Sequence, residues 1–257
     1  MDIPNTLDTL QSARSVLSSF PFTDGKITLR YLTYTVSGLL SKLDNAAFVN
    51  YTTSFDFVCL TETYIASDFD SDLFRDLGIF VAKAKKLSSH GRLSGGVLVL
   101  VRKRFLPFLE RMHVDVDNVV VLRMKKVLLG TDKDVMFIAA YLPPYDSNYW
   151  KVTQHGYGVE LIEKCVLDLH DVTDDFSLLL CGDLNDRTAS ENYNQVQDDC
   201  EDVLGNVCDC FPRKSQDNHT YVFGQQLIEL CNMCECCLLY TSPSPRDHTL
   251  SRMPSSA

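Results

Sequence analysis

The 257-residue sequence contains no apolar run long enough to cross a bilayer, and its opening residues, MDIPNTLDTL, combine no basic segment with an apolar one as export signals do. We therefore expect an intracellular protein, nuclear or cytoplasmic and not secreted, with no membrane partner. A glycine-rich dinucleotide fingerprint and a phosphate-binding loop ending in Gly-Lys-Ser/Thr are also missing. Their absence argues against a Rossmann nucleotide-binding fold and against a P-loop enzyme.

Charge is unevenly distributed along the chain. The formal net charge of −10 argues against a protein that coats nucleic acid by electrostatics alone. Residues 83–126, the basic segment, nevertheless contain 11 Lys/Arg and three Asp/Glu, a local charge of +8 that leaves −18 on the rest of the chain. Two interpretations stay open. The basic segment could bind a phosphate-rich partner, or it could be ordinary solvated surface.

Seven of the ten cysteines lie between Cys200 and Cys237. Cys231 and Cys234 have the two-residue gap of half a zinc site, and Cys208, Cys210 and His219 could supply partners. The second half lacks the matching gap, and a helix is predicted across Cys231 and Cys234. Reduced, mostly buried thiols are therefore the expectation, with zinc as the minor alternative.

Strand-length apolar runs alternate with helical patterns. Apolar residues at helical spacing predict a helix over 158–170, and shorter helices are predicted over 39–51 and 224–234. This mixture favours an α/β (α+β) sandwich over a doubly wound sheet. Strands are predicted over residues 27–34, 57–61, 78–82, 96–102, 118–124, 135–141 and 176–181.

Polar side chains follow three of these strands. Glu62 follows DFVCLT, Tyr141 follows FIAA, and Asp183 and Asn185 follow LLLCG. Glutamate suits Mg²⁺, which takes one or two carboxylates and completes its shell with water and substrate phosphate. Aspartate can orient or deprotonate a water, and Tyr and Asn can donate to phosphoryl oxygens. Each motif alone is typical of an ordinary turn. Together they predict metal-assisted phosphodiester hydrolysis.

The ordered motifs resemble the endonuclease/exonuclease/phosphatase superfamily, and within it the endonuclease domains of non-LTR retrotransposons. The resemblance implies a four-layer α/β/β/α sandwich of two mixed sheets with helices outside. It also implies Mg²⁺-dependent cleavage of DNA, with Mn²⁺ as a possible substitute, and a reverse transcriptase that follows this domain in the full-length protein. The matching stretches are LTYTVSGLLSKL (32–43), DFVCLTET (56–63), GRLSGGVLVLV (91–101), YLPP (141–144), LLLCGDLNDR (178–187) and RKSQDNHTYVFGQQLIELC (213–231).

The resemblance assigns roles to individual residues. Glu62 corresponds to the metal-binding glutamate, and Tyr141 to the tyrosine that contacts the scissile phosphate. Asp183 corresponds to the aspartate that aligns the attacking water, and Asn185 to its partner at the phosphate. Arg187, just after this motif, is a predicted contact to a backbone phosphate.

The sequence departs from the family pattern at two places. Thr35 stands where the family has an asparagine that helps to hold the metal and the aspartate, so weaker metal binding or water alignment is expected. No closing Ser-x-x-Asp-Tyr or Ser-Asp-His motif follows Cys237. Asp247-His248 imitates it inside a Ser/Pro-rich stretch without a predicted strand, and we do not assign it a catalytic role.

These observations predict an organisation and a function. Residues 1–24 would be an extension, 25–237 an incomplete endonuclease-like domain, and 238–257 a disordered tail of non-native character. Loss of the closing acid/base group would lower the rate by about 10²–10⁴. The alternatives are a phosphatase or phospholipid head-group hydrolase of the same fold, and a non-catalytic nucleic-acid-binding fragment. No obligate protein partner is inferred.

Overall fold

The computed structural model describes residues 22–23, 26–89, 91–151, 156–173, 175–185 and 220–234. They belong to two compact units. The first comprises residues up to 141 together with 168–183, and the second comprises 142–167 and the residues from 184 onward. Nearly all of the predicted extension (1–24) and the whole predicted tail (238–257) lie outside the described residues. None of the described helices is long and apolar enough to cross a membrane.

The secondary structure of the described residues is mostly strand. The described ranges include four helices: α1 (Ala46–Thr52), α2 (Lys126–Leu129), α3 (Glu160–His170) and α4 (Val222–Met233). Short 3-10 segments occupy Leu40–Lys42, Asp72–Phe74, Lys103–Phe108 and Asn148–Lys151. The strands are β1 (Phe22–Thr23), β2 (Lys26–Ile27), β3 (Tyr31–Thr35), β4 (Phe57–Thr61), β5 (Leu77–Ala82), β6 (Lys85–Lys86), β7 (Leu93–Ser94), β8 (Val97–Arg102), β9 (Leu109–Met112), β10 (Val119–Met124), β11 (Asp134–Tyr141) and β12 (Phe176–Asp183).

The first unit contains two four-stranded mixed sheets. The first sheet has the order β3-β4-β8-β5, in which only the β3–β4 pair is parallel. The second sheet has the order β12-β11-β10-β9, in which only the β11–β12 pair is parallel. The pairs β1–β2 and β6–β7 form two small antiparallel ribbons. Because each sheet has one parallel pair, two neighbouring strands end together at the same edge of each sheet.

The two sheets pack face to face on one apolar core. Both sheets contribute alternate residues to it, as expected for strands with a period of two. The prediction of an α/β sandwich built from two mixed sheets is therefore confirmed. Its buried members include Phe57, Cys59, Val97, Val99 and Val101 from the first sheet, and Val120, Leu122, Met124, Val135, Phe137, Ala139 and Tyr141 from the second.

The opposite face of the first sheet is covered by a second apolar cluster that includes Val49 of α1, so β4 is buried along its whole length. The helix predicted over 39–51 is divided here into the 3-10 segment Leu40–Lys42 and α1. Asn45 causes the break, because it adopts an extended conformation and its side chain accepts a hydrogen bond from Phe48 N at 3.1 Å.

Strand β9 was missed by the sequence analysis. It is an edge strand with exposed Glu110 and Arg111 at its centre, so it lacks the apolar alternation from which strands are predicted. The strand predicted over 27–34 also begins later, at Tyr31. The other predicted strands agree with the structure to within two residues at each end.

The second unit contains an aromatic cluster. Phe223 of α4 packs edge to face against Tyr145, Trp150 and Tyr157, with ring centroids 5.0–6.0 Å apart. Among the described residues no three His, Cys, Asp or Glu side chains could hold a metal ion. The other suggested zinc ligands, Cys208, Cys210 and His219, lie outside the described residues, so zinc binding stays untested.

Candidate active site

Four strand ends of the first unit supply most of the candidate site. Thr35 and Thr61 are the last residues of β3 and β4 and are paired in register. Tyr141 and Asp183 are the last residues of β11 and β12 and are also paired in register. Each sheet therefore presents two adjacent polar side chains where its parallel strands end.

A chain of hydroxyls joins the two sheets at this edge. Thr35 Oγ1 donates to Asp183 Oδ2 at 2.8 Å, and it lies 3.0 Å from Thr61 Oγ1. Thr35 has one hydroxyl hydrogen, which it gives to the carboxylate, so Thr61 is the donor in the second hydrogen bond. Although threonine is shorter than asparagine, Thr35 does reach Asp183.

The Glu62 carboxylate accepts hydrogen bonds from three hydroxyls. Tyr141 donates to Oε1 at 2.9 Å, while Ser37 and Tyr64 donate to Oε2 at 2.9 and 3.2 Å. Glu62 is only 8% exposed, so these bonds replace water around a largely buried carboxylate. Ser37 and Tyr64 were not identified from the sequence, although both lie inside or beside quoted motifs.

The phenol of Tyr141 is held in its neutral form. Burial raises its pKa well above the ordinary value, and the negative charge of Glu62, the hydrogen bond to Glu62 and the charge of Asp183 raise it further. Tyr141 is therefore a hydrogen-bond donor over the working pH range. It cannot act as a phenolate base or nucleophile there.

Backbone strain is concentrated at these segments. Five non-glycine residues in the described ranges have a left-handed φ between 49° and 56°. Four of them lie within or directly beside the motifs quoted for the site, and the fifth, Asn118, precedes β10. Such conformations cost about 1–3 kcal/mol each and persist where the surroundings enforce them. The five residues are Ser37, Glu62, Tyr64, Asn118 and Asn185.

Gly182 explains why a buried strand runs into the motif Gly-Asp-x-Asn. Its φ is +131°, and a Cβ at this position would lie 1.8 Å from the main-chain oxygen of Ala140 on the neighbouring strand. Ala140 and Gly182 are register partners. Only glycine therefore allows β12 to approach β11 closely enough to pair Asp183 with Tyr141.

Two of the predicted site residues, Asn185 and Arg187, are not part of the described first unit. Asn185 belongs to the second unit, where its side-chain amide donates to Leu142 O at 2.7 Å. Arg187 lies outside the described residues. The structure of the first unit thus joins Thr35, Glu62, Tyr141 and Asp183.

The donors at this edge suit a hard cation. Glu62 and Asp183 both lie close enough to Tyr141 to raise its pKa, and the hydroxyls of Thr35 and Thr61 add neutral oxygens. In the described parts of the chain, no third carboxylate, histidine or cysteine completes a dedicated cage. The set fits Mg²⁺ held by one or two carboxylates, with water and substrate as its other ligands.

Cations of the basic segment lie at both ends of the first sheet, and others, including Arg111 and Arg123, lie on the second sheet. Lys83, Lys85 and Lys86 follow the end of β5 beside Thr61, whereas Arg102 lies at the opposite end. There Arg102 and Arg104 surround the buried carboxylate of Asp56, with closest distances of 3.8 and 2.8 Å.

At the site end, two of the cations have carboxylate partners. Lys83 pairs with Asp68 at 2.8 Å, and Lys85 pairs with Asp117. Arg92 is exposed and lies over the ring of Tyr64, with its Cζ 5.7 Å from the ring centroid. Because Tyr64 donates to Glu62, Arg92 places a positive charge next to the candidate site.

No family model matches the chain, and no curated protein matches it. Three similar solved structures are an AP endonuclease from Archaeoglobus fulgidus, the AP endonuclease LMAP from Leishmania major, and the 3′ phosphatase NExo from Neisseria bound to a product DNA hairpin. The A. fulgidus enzyme is 15% identical over 79% of this chain, with a TM-score of 0.41. LMAP is 14% identical over 76% of this chain, with a TM-score of 0.42. NExo is 15% identical over 63% of this chain, also with a TM-score of 0.42.

The chain covers 69 and 70% of the two AP endonucleases and about 60% of the length of NExo.

Proposed function

We propose that this chain is a metal-dependent phosphodiester hydrolase that acts on DNA, of the retrotransposon endonuclease type. The observation that supports it most is the pair of links across the sandwich, Thr35 to Asp183 and Tyr141 to Glu62. These links gather two carboxylates, a neutral phenol and a hydroxyl on rigid strand ends, which is what phosphodiester hydrolysis requires.

Asp183 orients and deprotonates the attacking water. Its Oδ2 is fixed by the Thr35 hydroxyl, so the orientation of the carboxylate is set before substrate arrives. Asn185 donates to a phosphoryl oxygen as negative charge builds in the transition state. Arg187 contacts a phosphate of the DNA backbone.

Glu62 would hold Mg²⁺ or Mn²⁺, with Thr35 as a neutral neighbour. When bound, the ion would polarise a phosphoryl oxygen and offset the charge that develops there. Ser37 and Tyr64 keep the Glu62 carboxylate in one orientation by donating to Oε2.

Tyr141 changes hydrogen-bond partner during the reaction. Its single hydroxyl hydrogen is donated to Glu62 Oε1, so it cannot be donated to a phosphoryl oxygen at the same time. Contact with the scissile phosphate requires this hydrogen to turn away from Glu62. Because the phenol stays neutral, the hydrogen is available for that contact.

DNA is favoured over smaller phosphate esters by the cations at the site end of the first sheet. Exposed Lys86 and Arg92 lie there in the same segment as Lys83 and Lys85. Contacts to several phosphates would give binding that weakens steeply with salt.

A plasmid-nicking assay tests the function. Supercoiled DNA is incubated with the chain in Mg²⁺, in Mn²⁺ or in EDTA, and Asp183→Asn is compared with Asp132→Asn, which changes an exposed carboxylate away from the site. We expect cation-dependent nicking that falls by about 10²–10⁴ in Asp183→Asn and is unchanged in Asp132→Asn.

Three other outcomes would contradict the proposal. Nicking that survives both EDTA and Asp183→Asn would exclude a cation-dependent mechanism in which Asp183 activates the water. Hydrolysis of a phosphomonoester or of sphingomyelin without nicking would change the substrate class. Salt-sensitive DNA binding without any hydrolysis would identify a binding domain instead of an enzyme.

A further inference from the structure

We infer that Asn118 is a positioning residue that keeps the Tyr141 hydroxyl in register with the Glu62 carboxylate. The inference rests on the proposed function, because it concerns two residues of that site. Asn118 lies immediately before β10 and belongs to none of the motifs that identified the site. Its role follows from three sets of hydrogen bonds.

The main chain of Asn118 holds the end of β11. Its carbonyl oxygen accepts a hydrogen bond from Tyr141 N at 3.0 Å, one residue beyond the pairing of Val119 with Ala140. Asn118 has a φ of +56° and is 2% exposed. Asparagine tolerates this left-handed conformation better than other non-glycine residues.

The side chain of Asn118 holds the first sheet. Its Oδ1 accepts a hydrogen bond from Gly96 N at 2.8 Å in a buried environment. A Cβ on Gly95 would lie 2.4 Å from this same oxygen, and a Cβ on Gly96 would lie 2.6 Å from Thr63 Oγ1. Gly95 of GRLSGGV therefore leaves the space that the Asn118 side chain occupies, and Gly96 leaves the space beside Thr63.

The Gly95-Gly96 turn accepts hydrogen bonds from the two residues that follow Glu62. Thr63 N donates to Gly96 O at 3.2 Å, and Tyr64 N donates to Gly95 O at 3.1 Å. Starting at Tyr141, the links run through Asn118 and the Gly95-Gly96 turn to Thr63, the neighbour of Glu62. The hydrogen bond from the Tyr141 hydroxyl to Glu62 closes this path into a ring.

A purely structural role accounts poorly for asparagine at this position. Its Nδ2 is buried without a hydrogen-bond partner among the described residues, as is Thr63 Oγ1 beside the same turn. An unsatisfied buried donor costs about 1–3 kcal/mol, and the left-handed backbone adds to that cost. Asparagine supplies the Oδ1 acceptor that links the end of β11, at Tyr141, to the Gly95-Gly96 turn before β8.

Two substitutions distinguish the effect of the Oδ1 acceptor from the effect of the left-handed backbone at residue 118. Asn118→Gly accepts the left-handed φ but removes the side chain, whereas Asn118→Asp keeps an oxygen at Oδ1 and also tolerates this φ. Val49→Ala, on the outer face of the first sheet, is the control for a general loss of stability.

The first readout needs neither cation nor DNA. Tyrosine labelled with ¹³C at Cζ gives one NMR signal for each phenol at neutral pH, and Tyr141→Phe assigns the Tyr141 signal. In the parent chain and in Val49→Ala this signal should have the same chemical shift, because the hydroxyl donates to Glu62 in both. In Asn118→Gly the signal should move as that hydrogen bond is lost, and Asn118→Asp should recover at least part of the parent shift.

The second readout is nicking. Asn118→Gly should lower kcat by about tenfold to 10²-fold, the effect of a misplaced site, with little change in KM. If the Tyr141 signal in Asn118→Gly coincides with that in Val49→Ala, the inference is overturned. If the signal moves while the parent chain never nicks DNA, the positioning role stands and the proposed function fails.

Discussion

Thr35 on the first sheet donates a 2.8 Å hydrogen bond to Asp183 on the second. The two residues are 148 positions apart in the sequence, and each ends a strand of a parallel pair. A threonine at this position thus fixes the carboxylate that we propose as the water-orienting group. Threonine lacks the side-chain amide that asparagine could use as a donor, but its hydroxyl still donates to Asp183.

Substitution of Thr35 tests this link. Thr35→Val keeps the branched shape but removes the hydroxyl, so Asp183 loses a hydrogen bond worth about 1.5–3 kcal/mol for a charged acceptor. If that energy is realised in the transition state, nicking should fall about tenfold to a hundredfold. Thr35→Ser, which keeps the hydroxyl, should retain most of the rate. Equal rates for the two variants would show that the hydrogen bond does not serve the reaction.

The residues found from the sequence share one property, namely that they directly follow an apolar strand. Glu62, Tyr141 and Asp183 could be predicted because the period of two and the turn residues locate the end of each strand. Ser37, Tyr64 and Asn118 could not, because their importance lies in long-range hydrogen bonds and in a left-handed backbone. Neither feature leaves a pattern in a single sequence.

The glycine of Gly-Asp-x-Asn should be irreplaceable for folding. Gly182→Ala would drive a Cβ to 1.8 Å from Ala140 O and force a non-glycine residue to a φ of +131°. Overpacking and backbone strain together should lower the free energy of unfolding by about 2–5 kcal/mol. Gly130→Ala is the control, because Gly130 has a φ of +68° but nothing within 4 Å of its Cβ position.

Urea unfolding of the two glycine variants gives the comparison. In Gly130→Ala the free energy of unfolding should fall only by the cost of the left-handed φ, about 1–2 kcal/mol. An equal loss in both variants would mean that β12 can move away from β11 without penalty, and that Gly182 does not set the position of Asp183.

The net charge of the basic segment does not show where its cations lie in the fold. The segment has a net charge of +8, but the fold distributes its cations over both ends of the first sheet and over the second sheet, and several of them pair with carboxylates. Lys85 pairs with Asp117, which lies inside the same segment. Local sequence charge could not reveal this division, because β8 carries the chain from one end of the sheet to the other.

Arg92 should therefore contribute more to DNA binding than cations at the far end. Its guanidinium is exposed over Tyr64, beside the proposed site. Arg92→Ala should reduce the slope of log K against log salt by about one, and Arg92→Lys should keep most of it. Arg75 is equally exposed but precedes β5 at the opposite end, so Arg75→Ala should leave the slope unchanged. Fluorescence anisotropy with labelled duplex DNA across a salt series measures all three.

The raised pKa of Tyr141 should make the folded protein less stable in alkali. Above the ordinary tyrosine value of 10.0, the unfolded chain releases this proton while the folded chain keeps it, so the free energy of unfolding falls as pH rises. One proton gives a slope of up to about 1.4 kcal/mol per pH unit. Below pH 10 both states keep the proton, and Tyr141 contributes no pH dependence.

Tyr141→Phe removes this titration. Urea unfolding between pH 9 and about pH 11.5 should therefore show a shallower decline for Tyr141→Phe than for the parent chain. Tyr34→Phe, which removes a phenol that is 45% exposed, is the matched control for the loss of a tyrosine hydroxyl. Identical slopes for the parent and Tyr141→Phe would mean that the Tyr141 phenol is not held neutral by burial and Glu62, and it would remove the basis for treating Tyr141 as a donor.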